Sequence, residues 1–234
     1  MSGRDKDTKK SANDSAEAPG GGPAAAHRYC SMYCEENVWH LCGDAQVPDG
    51  PRAAVFISNR QRSVAVAQQR LAVVPGFPIV WDYHVVMTVR TDGRWHVWDL
   101  DCVLGLHIEV EHWLDASFGG GFGFGSQYAP LFRVVPGAVY RERLSSDRSH
   151  MRNEDGDYQA TPPTWPTIGG EGNNLMAFVS MEQDFVGEVV DQPGLVEALD
   201  RSVGSAGESS RSGVASLVAP ASNPPGRPPP TAKR

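Results

Sequence analysis

Residues 79–101 constrain this chain more than any other stretch. Residues 79–90, IVWDYHVVMTVR, are rich in β-branched and aromatic side chains, and residues 95–101, WHVWDLD, answer them across Thr91-Asp92-Gly93-Arg94. Asp92-Gly93 suits a two-residue hairpin turn, whose central positions both need positive φ. With those residues at the turn, Thr91 faces Arg94, and counting outward places Val86 opposite Asp99 and His84 opposite Asp101. Side chains alternate faces along a strand, so His84, Asp99 and Asp101 leave one face of the hairpin, with Asp99 a diagonal neighbour of His84. A three-residue loop bulged at Gly93 would reverse that parity, so the turn type decides whether imidazole and carboxylate meet. Asp99 also lies between Trp98 and Leu100, where an unpaired carboxylate is costly.

A thiol upstream gives this pair a possible task. Cys34, Val38, Leu41 and Cys42 recur at the spacing of one helical face, which predicts a helix over residues 34–42 with Cys34 in its first turn. Unpaired N–H groups and the positive end of the helix dipole lie there, and both favour a thiolate. The competing reading of such a cysteine is a small buried apolar residue. Together, Cys34, His84 and Asp99 supply what thiol catalysis requires: a sulfur that ionises, an imidazole that takes and returns its proton, and a carboxylate that fixes the ring's tautomer. The Cys34 backbone N–H is placed to steady an oxyanion.

The remaining pattern predicts strands over residues 53–58, 63–67 and 131–135, a helix over 107–118, and short closing elements at 174–181 and 195–199. Residues 119–125 form a glycine-rich stretch that fits neither a dinucleotide fingerprint nor a phosphate loop, and read as a flexible insertion. Residues 145–151 are polar and loop-like, suited to lining a cleft or capping a helix. A helix followed by strands with helices packed on them predicts a single α+β domain built on an antiparallel sheet.

Composition bounds the partners. The formal net charge of −7, with Lys and Arg scattered, gives no support for nucleic-acid binding. No apolar run approaches the roughly 18 residues of a membrane span. Four cysteines without a secretion signal predict free thiols in a reducing compartment, the cytoplasm with the nucleus open to a chain of 25.3 kDa. A metal site would have to draw on Cys30, Cys34 and Cys42 with His40, a set lacking the second ligand pair of a zinc module. Neither metal nor cofactor is expected, and a monomer is. Residues 1–26 and the Ser-, Gly- and Pro-rich residues 202–234 predict disordered tails around a domain at 27–201.

The sequence resembles the protein N-terminal glutamine amidohydrolases, the WDYHV family. Tyr33-Cys34-Glu35-Glu36-Asn37, Val55-Phe56-Ile57-Ser58-Asn59 and Trp81-Asp82-Tyr83-His84-Val85-Val86 carry the likeness. Asp99-Leu100-Asp101, Ser146-Asp147-Arg148-Ser149-His150-Met151, Asn174-Leu175 and Ser180-Met181 follow in collinear order. The resemblance implies an enzyme that converts the first-position glutamine of a protein to glutamate with release of ammonia, feeding the arginine branch of the N-degron pathway. It maps Cys34 to the nucleophile, His84 to the base and Asp99 to its orienting carboxylate, on a transglutaminase-like or papain-like scaffold. Its partners would be proteins or peptides with a free N-terminal glutamine. A related thiol protease or an acyl-transferring transglutaminase would use the same triad. Three departures stand out: the segment between Cys42 and Ala53 is short, the glycine stretch looks lineage-specific, and both tails are extra. A site that acts only on a first residue must hold an α-ammonium, for which Glu36, Asp82 and Asp101 are the candidate carboxylates.

Overall fold

The computed structural model describes residues 26–119, 125–170 and 172–209. In chain order the elements are α1 (Cys34–Cys42), β1 (Arg52–Ser58), β2 (Val64–Val66), β3 (Ile79–Trp81), β4 (His84–Thr91), β5 (Arg94–Trp98), β6 (Ile108–Glu109), α2 (Val110–Leu114), β7 (Leu131–Pro136), α3 (Gly137–Arg143), α4 (Leu175–Val179), β8 (Glu188–Val190) and α5 (Leu195–Ser209). Six strands form one antiparallel sheet in the order β6-β5-β4-β1-β7-β8, and β2 with β3 makes a separate two-stranded sheet. The expected α+β domain with an antiparallel sheet is what the chain forms.

Alternation along the central strands builds two cores. Ala54, Phe56, Val85, Met87 and Val89 face one side, where Val38 and Leu41 of α1, Tyr140 of α3 and Phe178 of α4 cover them. Ala53, Val55, Ile57, Val86 and Val97 face the other, under Val110 and Trp113 of α2 and Leu195, Ala198 and Leu199 of α5. β1 and β4 are therefore buried on both faces and read as nearly continuous apolar runs. Arg52, at the start of β1, donates from Nη1 to the Cys42 carbonyl at 3.1 Å and the Asp44 carbonyl at 2.9 Å, tying the C-terminal end of α1 to the sheet.

The hairpin turn is the two-residue type: Asp92 and Gly93 both have positive φ, and Thr91 pairs with Arg94. Other expectations need correction. Residues 79–90 are two strands, because the Asp82 carboxylate accepts its neighbour's Tyr83 N–H at 3.0 Å and the Ser58 hydroxyl donates to the Asp82 carbonyl at 2.6 Å. Side chains thus take over the backbone groups that a continuous strand would pair. The ladder with β5 ends at Met87 and Trp98, so Asp99 and Asp101 lie in a turn beyond the strand, closed by the Cys102 N–H on the Asp99 carbonyl. The helix expected over 107–118 keeps only one α-helical turn; residues 108–109 pair with β5, and Asp115–Gly119 winds as a π-helix. Helix α5 runs to Ser209, past the expected domain end at Arg201. Residues 120–124 of the glycine stretch, residues 1–25 and residues 210–234 lie outside the described residues.

Candidate active site

The site lies where β1 ends and β4 begins. His84 is the first residue of β4 and pairs with Ile57 near the end of β1, which fixes its backbone on a buried ladder. Cys34 opens α1, and the turn that carries it is held from several directions. Asn37 clamps the incoming chain, accepting the Cys30 N–H at 2.8 Å and donating to the Cys30 carbonyl at 2.9 Å. The Tyr140 hydroxyl donates to the Glu35 carbonyl at 2.8 Å. Glu36 takes a two-pronged ion pair from Arg148, at 2.7 and 2.8 Å, and the Trp165 indole N–H at 2.6 Å. These bonds fix the backbone around Cys34.

Cys34 and His84 line one pocket of about 380 Å³, together with Asp82, Asp101, Tyr83 and His150. His84 Nε2 lies 3.0 Å from Asp99 Oδ1. A carboxylate only accepts, so the ring carries its proton on Nε2 and leaves Nδ1 as the basic nitrogen. Asp99 is buried and fully engaged. Oδ1 also accepts the Asp101 N–H at 3.0 Å, and Oδ2 accepts from Gln69 Nε2 at 3.0 Å.

The pocket carries two carboxylates, Asp82 and Asp101, and one guanidinium, Arg62. Burial lowers the His84 pKa, but the charge and hydrogen bond of Asp99, with a contribution from Asp101, outweigh it and hold the imidazole above its ordinary 6.5. Burial raises Asp99, and the charge and hydrogen bond of His84 with the bond from Gln69 reverse that, leaving it below the usual 3.8. Asp101 is held above it, chiefly by burial, although the Tyr29 hydroxyl donates to Oδ1 at 2.5 Å. For Cys34 the expectation from helix position is overturned. Burial first, then Glu35, Asp101 and Asp82, push the thiol well above the range of a free cysteine, against the pull of the Val85 N–H on its sulfur. The Cys34 sulfur lies 3.9 Å from Glu35 Oε2, to which its S–H can donate.

A sequence model of the N-terminal glutamine amidase family matches residues 29–199. The chain belongs to that family. It is 35% identical to the human protein N-terminal glutamine amidohydrolase over 181 residues, which is 70% of this chain and 88% of the human one. Its identity to the Bos taurus protein of that name is 35% over 173 residues, 71% of this chain and 83% of that one. With the Arabidopsis thaliana protein of that name it shares 28% over 193 residues, 77% and 87% of the two chains.

Within this member of the N-terminal glutamine amidase family, the residues singled out in the sequence divide clearly. His84 and Asp99 are hydrogen-bonded, and Cys34, Asp82 and Asp101 share the pocket with His84. Glu36 does not. It is fully buried, and Arg148 and Trp165 already satisfy its charge, so it is a structural anchor and not a contact for a substrate. Cys30, Cys42 and His40 gather no metal site: the Cys30 thiol donates to the Thr161 carbonyl, Cys42 packs on the core with its pKa pushed up to about 12 by burial, and His40 stacks edge-on with Trp39 and Trp165. Among the described residues, the group close enough to share a cation is His84, Asp99 and Asp101, with ligand atoms within 4.8 Å of one another. Asp99 spends both oxygens on other bonds there, so a cation would have to displace the His84 proton.

Glu35, Gln69, Tyr29 and His150 were not anticipated. Glu35 is fully buried beside Cys34, accepts the Tyr83 hydroxyl at 3.2 Å, and has Oε1 at 3.3 Å from His150 Nε2. Neither that oxygen nor either His150 ring nitrogen makes a hydrogen bond among the described residues. In sequence, adjacent glutamates in a first turn look like complements to the helix dipole. His150 falls in the polar segment expected to line a cleft.

Proposed function

We propose that this chain hydrolyses the side-chain amide of a polypeptide's N-terminal glutamine, giving glutamate and ammonia, with Cys34 as nucleophile. The relatives' shared name supports the reaction. The observation that carries the assignment of residues is the pocket itself: a thiol at a helix start, an imidazole fixed by a buried carboxylate, and two further carboxylates on one small cavity.

His84 Nδ1 takes the Cys34 proton as the sulfur bonds to the amide carbon, and the Cys34 N–H at the start of α1 steadies the oxyanion. The tetrahedral adduct collapses, the C–N bond breaks, and His84 returns its proton to the departing ammonia. A thioester remains. His84 then deprotonates a water that attacks the thioester, and the thiol is regenerated as the glutamate side chain leaves. Asp99 holds the ring and stabilises the imidazolium. The order of parts, thiol on the first helix with base and carboxylate on later strands, supports a transglutaminase-like or papain-like scaffold.

Selection of a first residue falls to Asp101, with Asp82 at the rim. Asp101 is buried and lines the pocket, and burial holds its pKa up despite the charges of His84 and Arg70, so an α-ammonium seated there adds a cation that favours its ionised form. That cation also offsets the negative field on Cys34, so the thiol ionises most readily when the correct substrate is bound. Terminal asparagine is one methylene shorter, worth about 1–3 kcal/mol from binding alone, and its amide falls short of the sulfur. Four free cysteines support a reducing compartment, cytoplasmic with nuclear access, where the product would enter the N-degron pathway.

The test is ammonia release from matched peptides that begin with Gln, with Asn or with acetylated Gln, using the chain and its Cys34→Ala variant. Release from free N-terminal Gln alone, lost in the variant, is the expected result. Release from acetylated Gln would move the reading toward a transglutaminase whose thioester is taken by water, and none from any peptide with folded protein would remove the amidase and leave the protease.

A further inference from the structure

Beside the pocket the chain does something unusual for a surface. Leu71, Val73, Val74 and Phe77 stand exposed in one loop, Val73 at 98% and Phe77 at 59%, and Val80 on the adjoining β3 is also exposed. Single exposed apolar residues need no explanation, but a contiguous cluster does. Leu71, Val74, Phe77 and Ile79 line a groove of about 480 Å³ that shares Met32 and Trp81 with the catalytic pocket. Apolar groove and reaction chamber therefore have one common wall.

The loop is anchored to the site. The Arg70 N–H donates to the Asp101 carbonyl at 2.7 Å, the Ala72 N–H to the Gln69 carbonyl at 3.1 Å, and the Phe77 N–H to the Val74 carbonyl at 3.0 Å. Gln69 also holds Asp99. Strand β3 pairs with β2 along one edge and has no second ladder partner among the described residues, so its other edge can take an extended chain.

We propose that this shelf is the docking surface for the residues that follow the substrate's N-terminal glutamine, and that it favours apolar side chains there. The inference rests on the amidase reading. A polypeptide whose first residue is seated beside Asp101 must leave the pocket across its rim, and the rim at Met32 and Trp81 opens onto the shelf. A second way out, past Arg62 and Met176, leads to a smaller polar groove of about 250 Å³ along Asn59, Arg60 and Ser180. Covering apolar surface is favourable only on the first path.

The experiment compares amidated tetrapeptides Gln-Gly-Gly-Gly and Gln-Gly-Val-Leu as substrates of the full chain and of its Val74→Ser/Phe77→Ser double variant. The apolar peptide is expected to have kcat/KM higher by about tenfold, mainly through KM, as fits covering one apolar side chain. The double variant is expected to erase the difference. Equal kcat/KM for the two peptides, or a difference that survives in the variant, would overturn the shelf alone. So would sedimentation showing a dimer that the double variant dissolves, since a second copy would then be the occupant. No release from either peptide would strike at the amidase reading and take the shelf with it.

Discussion

Changing Asp99 to Asn tests the hydrogen-bond circuit around His84 more sharply than deleting the side chain. Asp99 accepts three bonds: Oδ1 from His84 and the Asp101 N–H, Oδ2 from Gln69. An asparagine offers one acceptor and one donor group. If its oxygen faces His84, its NH2 meets Gln69, which must turn its amide to present Oε1 and so moves its own NH2 to the buried place where that oxygen has no partner among the described residues; if reversed, the NH2 meets the Asp101 N–H and turns the imidazole to the wrong tautomer. Either arrangement leaves a buried donor unmatched, which costs about 1–3 kcal/mol. Each kcal/mol lowers the Tm of a domain this size by about 2–4 °C. The loss in kcat should be far larger. Amidating the orienting aspartate of a serine hydrolase triad costs about ten-thousandfold, and a loss of about 10³–10⁴ is expected here. Adding Gln69→Glu gives the asparagine NH2 an acceptor with no amide donor left stranded, which favours its oxygen toward His84, and the double variant should regain at least about tenfold in kcat over the single one. Ammonia release at saturating Gln peptide, with Tm measured in parallel, decides it. A single variant within tenfold of wild type, or a double variant no better than the single, would refute the assigned role of Asp99.

Other consequences follow from the same geometry. Glu36→Ala leaves the Arg148 guanidinium buried without its partner, and should cost about 3–5 kcal/mol, read as a lower Tm; Asp101→Asn should instead raise KM about 10- to 100-fold, the worth of a charge-assisted bond, with Tm nearly unchanged. Activity should rise with pH through a His84 value above 6.5 and fall as the substrate α-ammonium deprotonates near about 8, so blocking that amine removes activity rather than shifting the curve. The His84–Asp99 pair stabilises the fold most between about pH 4 and 6.5. Its His84 contribution is lost as pH rises through the raised value, its Asp99 contribution as pH falls through the depressed one, and chemical denaturation across pH should show both in wild type and neither in Asp99→Asn. Zn²⁺ should inhibit by displacing the His84 proton in the group it forms with Asp99 and Asp101, more strongly at higher pH, whereas a chelator should leave turnover unchanged.

Local rules carried the reading of the sequence a long way. The helix over residues 34–42 and the Asp92-Gly93 turn are written in spacing and turn chemistry, and with the register fixed, His84 and Asp99 had to share a surface. What sequence could not supply came from side chains acting over long distances. Asp99 sits one residue beyond the ladder because its own carboxylate captures the Asp101 N–H. Glu36 looked as available as Asp101 until Arg148, far along the chain, was found to occupy it. The Cys34 thiol was expected to be acidic from its place on α1, and the carboxylates that reverse this come from an adjacent residue, from β4's approach and from the turn after β5. A local rule about helix ends lost to burial and three neighbours.

The central claim is that Cys34 becomes covalently acylated during turnover. Intact-mass spectrometry of acid-quenched enzyme with a Gln-initiated peptide, followed by peptide mapping, measures this directly. The account predicts an adduct equal to the peptide less one ammonia, confined to Cys34 and absent from Cys34→Ala. Turnover to glutamate with no adduct on Cys34, or full activity in Cys34→Ala, would contradict it.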